Sequence, residues 1–162
     1  MKILLCISLI SAVVLGACGS RTARELQAND SIEQDIDEIV WESWGPPVAP
    51  QYNKTYKVML SRSQQTLSID SLRSAGIEVT RKLDPKDFDQ ILALKSKCQI
   101  EIGAPLSFEG CMGGQGQTLT FLKKAEKIAE GRIVDCGGEQ RSNIKGDFTA
   151  FVAAIRKLAF PE

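Results

Sequence analysis

Five cysteines and no histidine set what this chain of 162 residues can do in covalent or metal chemistry. Histidine is the commonest general base near neutral pH, the usual zinc ligand and the partner of most serine and cysteine nucleophiles. Its absence removes the familiar hydrolase mechanisms. Cys6, Cys18, Cys98, Cys111 and Cys136 include no pair with the two-residue spacing of reactive dithiols, and no imidazolium is available to lower a thiol pKa. Cys98, Cys111 and Cys136 stand 13 and 25 residues apart, too scattered for a metal site, so neither metal nor cofactor is expected. The run Gly110-Cys111-Met112-Gly113-Gly114-Gln115-Gly116 offers bare backbone N–H groups of the kind that cradle anions. It lacks the Gly-Lys-Ser/Thr ending of a phosphate loop and opens no helix, so it reads as turn geometry. Asp87, Asp89, Asp135 and Glu139 are accounted for by caps, loops and solvated faces, and no catalytic residue is assigned. Lys123, Lys124 and Lys127 gather at an expected hairpin tip and read as solubilising charge, not as a nucleic-acid contact.

Composition fits an ordinary globular domain. Twenty basic residues balance 20 acidic ones, and 43% of the chain is apolar.

The first residues carry an address. Met1-Lys2 precede an apolar run from Ile3 to Leu15, and the small Gly16 and Ala17 follow, which is the layout of an export signal over residues 1–17. Thirteen residues are too few to span a bilayer core, which needs about 20. Leu15-Gly16-Ala17-Cys18 resembles the lipobox of bacterial lipoproteins. That resemblance implies a diacylglycerol on the Cys18 sulfur and an acylated, palmitate-type amino terminus. Acyl chains contribute about 0.8 kcal/mol per buried CH₂, and two suffice for stable anchoring. Gly19 after the cysteine resembles the pattern sent on to the outer membrane of Gram-negative bacteria, which places the domain in the periplasm.

By the same resemblance Cys6 leaves with the signal and Cys18 is taken by lipid, so Cys98, Cys111 and Cys136 remain for an oxidising compartment. A disulfide between Cys111 and Cys136 is expected, because glycines flank both and let the backbones approach. Closing about 25 residues stabilises by roughly 3 to 4 kcal/mol on the chain-entropy account. Cys98 is left as a buried thiol.

These groups must be positioned by the elements that follow. Gly19 to Asn29 reads as a polar tether. Asp30 and Glu33 form an N-terminal cap, and Ile32, Ile36, Ile39 and Val40 fall at helical spacing, so a short acidic amphipathic helix is expected from Ser31 to Ser43. Its Trp41 and Trp44 pack on the domain or offer a possible anchor to a partner. Gly45 to Pro50 is a Pro-rich spacer. The lipidated amino terminus, tether, helix and spacer thus occupy 18–53, and a small domain occupies 54–162. In that domain Thr55–Ser61 and Ile77–Lys82 alternate as strands, and Leu67–Leu72 is ambiguous. Asp84 with Pro85 starts a helix bearing Phe88, Ile91 and Leu92, and Cys98–Ile102 is a short strand. Thr118–Lys123 and Lys127–Cys136 form a hairpin through Lys124-Ala125-Glu126. After Gly137-Gly138 and a polar loop, Asp147 caps a last helix bearing Phe148, Phe151, Val152 and Ile155. The fold class is α+β, with about four antiparallel strands and two packed helices.

The expectation is a lipid-anchored, non-catalytic accessory module that binds an unidentified envelope protein and touches the membrane through Cys18. The order strand, strand, helix, hairpin, helix, with Ser61-Arg62-Ser63 closing the first strand, resembles small bacterial inhibitors of thermolysin-like proteases. That likeness implies an inhibitor, and the small lipoproteins of the envelope also include immunity-type proteins, so an inhibitor or immunity-type role is the alternative. A third expectation is a histidine-independent hydrolase of envelope glycan.

Overall fold

A computed structural model describes residues 35–45, 55–71, 78–107 and 114–161. The export segment, Cys18, the tether, the first residues of the expected helix, most of the Pro-rich spacer, residues 72–77 and the first half of the glycine run with Cys111 lie outside the described residues. The order is β1 (Glu38–Trp44), β2 (Tyr56–Ser61), β3 (Thr66–Asp70), β4 (Glu78–Lys82), α1 (Pro85–Lys97), β5 (Glu101–Ile102), β6 (Gln115–Lys123), β7 (Glu126–Cys136), β8 (Glu139–Ser142), β9 (Ile144–Lys145) and α2 (Phe148–Ala159). Seven strands make one antiparallel sheet in the order β4-β3-β2-β1-β6-β7-β8, while β5 and β9 pair in a ribbon. The expected four-stranded α+β arrangement is overturned: the described chain is mostly sheet.

The largest correction concerns residues 38–44. They do not continue a helix; they are β1, the middle strand, paired antiparallel with β2 on one side and β6 on the other. Ile39 and Trp41 point to the helix-covered face and are 1% exposed, whereas Val40 is 7% exposed and lies outside that core cluster. Three consecutive residues of this strand, Ile39, Val40 and Trp41, are buried, so its apolar residues run together and mimic one side of a helix. The folded unit accordingly begins before residue 54, where composition had drawn its boundary.

β2 to β4 extend from β1 as a meander, and β6 to β8 extend from its other edge as a second one. Both turns of the second meander are two residues long and have positive φ. Lys124 and Ala125 (φ 49° and 65°) join β6 to β7, and Gly137 and Gly138 (φ 64° and 93°) join β7 to β8. Two positive φ values match the right-handed strand twist of a tight hairpin. The first costs strain that Asp37 helps offset, since its carboxylate accepts from Lys124 N at 2.9 Å. The second makes a hairpin where a polar loop was expected, so β8 is a further correction.

The helices start as their caps require. Asp84 accepts from Lys86 N (2.9 Å) ahead of Pro85, and Asp147 accepts from Ala150 N (3.0 Å). Phe88 and Ile91 of α1 share one core with Phe151, Val152 and Ile155 of α2 and with Ile39, Trp41, Leu60, Leu67, Leu119 and Phe121 of the sheet. Both helices therefore cover the same sheet face. Gly131 in β7 leaves the space that Ile144 and Ile102 of the ribbon fill.

Candidate functional site

On the helix-covered face, cross-strand rows grow more polar toward one end. Leu60, Ile39 and Phe121 form one row across β2, β1 and β6, and Val58, Trp41 and Leu119 form the next. The third row is Tyr56, Ser43 and Gln117. Here the apolar core stops, and the row becomes the floor of a hollow of about 360 Å³ whose wall is Phe148, Thr149, Val152, Ala153 and Arg156 of α2. Ser43 and Gln117 also line a second hollow, of about 260 Å³, with Gln115, Ile133, Asp135 and Gln140. A third adjoins the first through Arg156 and adds Lys157, Phe160 and Pro161.

Trp41 organises the floor. Its indole Nε1 donates to Gln117 Oε1 at 2.9 Å, and its ring meets Tyr56 edge-on at 5.1 Å. Tyr56 in turn meets Phe160 edge-on at 5.5 Å, and Phe160 is 44% exposed. An aromatic series thus runs from the core to the surface beside Arg156. No carboxylate pairs with Arg156 among the described residues. Asp135, in the neighbouring hollow, is held within the fold: Oδ1 accepts from Gly138 N (3.1 Å) and Oδ2 from Gln115 Nε2 (3.4 Å).

The expected site residues are placed as follows. Trp41 is core, so it cannot serve as a surface anchor. Trp44 is half-buried, and its ring occupies the space a side chain on Gly116 would need. Cys136 closes β7 and is disulfide-bonded, whereas Cys98 is a free, half-buried thiol at the C-cap of α1. Cys18 and Cys111 lie outside the described residues. The lysine cluster is partly neutralised, with Lys123 on Asp35 (2.6 Å) and Lys127 on Glu130 (2.7 Å). The hydrogen bond from Lys127 lowers the Glu130 pKa below its ordinary value of 4.5; partial burial opposes this and Arg132 reinforces it. Ser61 is fully buried, and Arg62 is tied to Asp89 and lies 4.9 Å from the Phe88 ring, so this corner is a fixed part of the fold. The element order behind the likeness to protease inhibitors is not the observed one.

Ser43, Tyr56, Gln117, Thr149 and Arg156 were not singled out from the sequence. A legible signal existed for two of them. Ser43 and Gln117 occupy inward positions of strands whose other inward residues, Ile39, Trp41, Leu119 and Phe121, are apolar. Among the described residues no group of three or more His, Cys, Asp or Glu is placed to hold a metal. No described helix is long and apolar enough to cross a membrane. Comparison with known protein families, curated proteins and solved structures finds no match.

Proposed function

We propose that the chain is exported, acylated at Cys18 and held on a membrane of the bacterial envelope, where its domain binds a protein partner without catalysing a reaction. The lipobox-like Leu15-Gly16-Ala17-Cys18 supports the anchor. The binding half rests on one observation: the apolar core stops at the Tyr56–Ser43–Gln117 row, leaving a polar floor walled by α2 beside an exposed aromatic. Concave, mostly apolar hollows with a few polar groups are where ligands settle. Cys136 is disulfide-bonded and Cys98 is free, so once Cys6 leaves with the signal and Cys18 takes lipid, Cys111 is the remaining cysteine for Cys136.

The test uses natural protein extracted in detergent. Intact mass is expected to show a chain starting at Cys18 with acyl groups, and a bare amino terminus or an uncleaved precursor would remove the anchor. Affinity capture from envelope extract compares the native chain with Ala153→Glu, which places an acidic side chain on an exposed wall position of the hollow. A protein enriched by the native chain and lost with the variant supports the reading. Equal enrichment by both, or release of fragments from peptidoglycan by the purified chain, overturns it.

A further inference from the structure

The hollows beside the β5–β9 ribbon, at Gln115 and under α2 differ in how their charge is satisfied. The one beside the β5–β9 ribbon holds Arg132 and Lys127, but Glu130 pairs with both (2.6 and 2.7 Å), and Asn143 bonds across its floor to Gly103, Ala104 and Glu130 carbonyls. Both cations of that hollow are already engaged by a carboxylate. The one at Gln115, Asp135 and Gln140 has its carboxylate engaged by Gly138 and Gln115. The hollow under α2 is different. Neither it nor the hollow that shares Arg156 with it has a described acidic residue in its wall.

The donors there are fixed by what Trp41 is. An indole N–H only donates, so the Gln117 atom facing it must be the amide oxygen, and the amide nitrogen with its two N–H donors is left over. Ser43, Tyr56 and Thr149 add hydroxyls. Arg156 and Lys157 supply positive charge. A hollow rich in donors and lined, among the described residues, by cations and no acid is complementary to an anion, and a guanidinium binds a planar carboxylate through two parallel hydrogen bonds.

Length narrows the class. Thr149 and Arg156 line the same wall seven residues apart, which at 1.5 Å per residue is about 10 Å. An extended peptide rises about 3.3 Å per residue, so roughly three residues fit. Tyr56 and Phe160 provide an apolar patch next to the cationic end. We infer that the hollow under α2 receives the C-terminal end of a short extended peptide, its free carboxylate on Arg156, its last side chain against Phe160 and Tyr56, and its backbone read by Gln117. This rests on the binding reading above and names the ligand of that same site.

The test follows the Trp41 indole N–H resonance of ¹⁵N-labelled full-length protein in detergent micelles. The probes are N-acetyl-Ala-Ala-Phe as the free acid and as the C-terminal amide. The acid is expected to shift the resonance saturably and to bind at least about ten-fold more tightly than the amide. Arg156→Gln should remove that preference, leaving the amide unaffected, and an unchanged starting spectrum shows that the variant is folded. Lys57→Gln, whose lysine pairs with Glu42 on the opposite sheet face, should change nothing. Equal binding of acid and amide, full acid binding by Arg156→Gln, or displacement by equimolar inorganic phosphate overturns the inference. If neither tripeptide binds while Ala153→Glu still abolishes partner capture, this inference fails and the binding module stands.

Discussion

Replacing Trp41 by alanine separates the two readings of residues 31–43 by an energy gap wide enough to measure. On a surface helix, where the tryptophan would be a partner anchor, truncation costs little, within about 0.5 kcal/mol. In the structure Trp41 is 1% exposed at the centre of a seven-stranded sheet, between Val58 and Leu119 on its flanking strands. Trp-to-Ala truncations at such positions cost about 3–5 kcal/mol. The variant also leaves Gln117 Oε1 without its donor, which costs about a further 1–3 kcal/mol if water cannot reach it. With a urea m-value of about 2 kcal/mol/M, the low end of the cavity term alone shifts the unfolding midpoint by roughly 1.5 M. Trp41→Phe keeps most of the apolar volume and loses the N–H, so it should fall between the native chain and Trp41→Ala. Urea titrations followed by far-UV circular dichroism read all three. A midpoint for Trp41→Ala within about 0.3 M of the native chain, at unchanged slope, would refute the placement of β1 and with it the floor of the proposed site.

The remaining predictions concern the same framework. The fragment 54–162 should not fold, because without β1 the neighbours β2 and β6, both antiparallel to it, are left as parallel edges two strand spacings apart, nearly 10 Å; a dispersed NMR spectrum from that fragment would contradict this. Gly131→Ala should destabilise by up to about 2.5 kcal/mol, since overpacking against Ile144 costs about 1–3 kcal/mol and leaving glycine in a strand recovers about 0.5–1 kcal/mol. Adding Ile144→Ala should relieve that clash, and strictly additive midpoints in the double variant would argue against it. Glu130 has a depressed folded pKa, so its contribution is present above its unfolded pKa near 4.5 and is lost as pH falls through the lower folded value. Glu130→Gln should therefore flatten the acid limb of the stability profile below about pH 4.5, and an acid limb parallel to that of the native chain would count against the Lys127–Glu130–Arg132 cluster.

Helix caps were legible because their signal is local. Asp84 with Pro85, and Asp147 ahead of Phe148, each act through a hydrogen bond to an amide two or three residues on, and no distant partner can undo that. The β6–β7 hairpin was legible for a similar reason, as two alternating runs separated by a short polar joint. β1 failed because its pattern is set by partners far along the chain. Ile36, Ile39 and Val40 fit a helical stripe, yet Ile39 and Val40 bury against opposite faces of the sheet, a distinction that periodicity over so short a run cannot make. The β-branched and aromatic content of Ile39-Val40-Trp41 was the better guide. β8 failed differently: Glu139 to Ser142 is exposed along its length, so it has no apolar alternation to detect, and only the Gly137-Gly138 turn implies it.

The site was less legible than the fold, because none of its residues is unusual for its own element. Arg156 reads as a cation suited to the carbonyl end of α2, and that role is compatible with the structure. What makes it a site residue is a relation, namely that the row beneath it has turned polar just where α2 still lies across the sheet. Two strands carry that relation in their sequences, since the inward series Ile39, Trp41, Ser43 and Phe121, Leu119, Gln117 each change from apolar to polar at the same register level. A single strand ending in a polar residue is ordinary fraying at a sheet edge. Two cross-strand partners doing so under a helix, with Trp41 donating into the second of them, define a lined surface instead. Recognising it from sequence would have required the pairing of β1 with β6, 76 residues apart between Trp41 and Gln117, and that pairing was hidden as soon as β1 was read as a helix. One misassigned strand therefore accounts for the displaced domain boundary, the misplaced tryptophan and the overlooked hollow together.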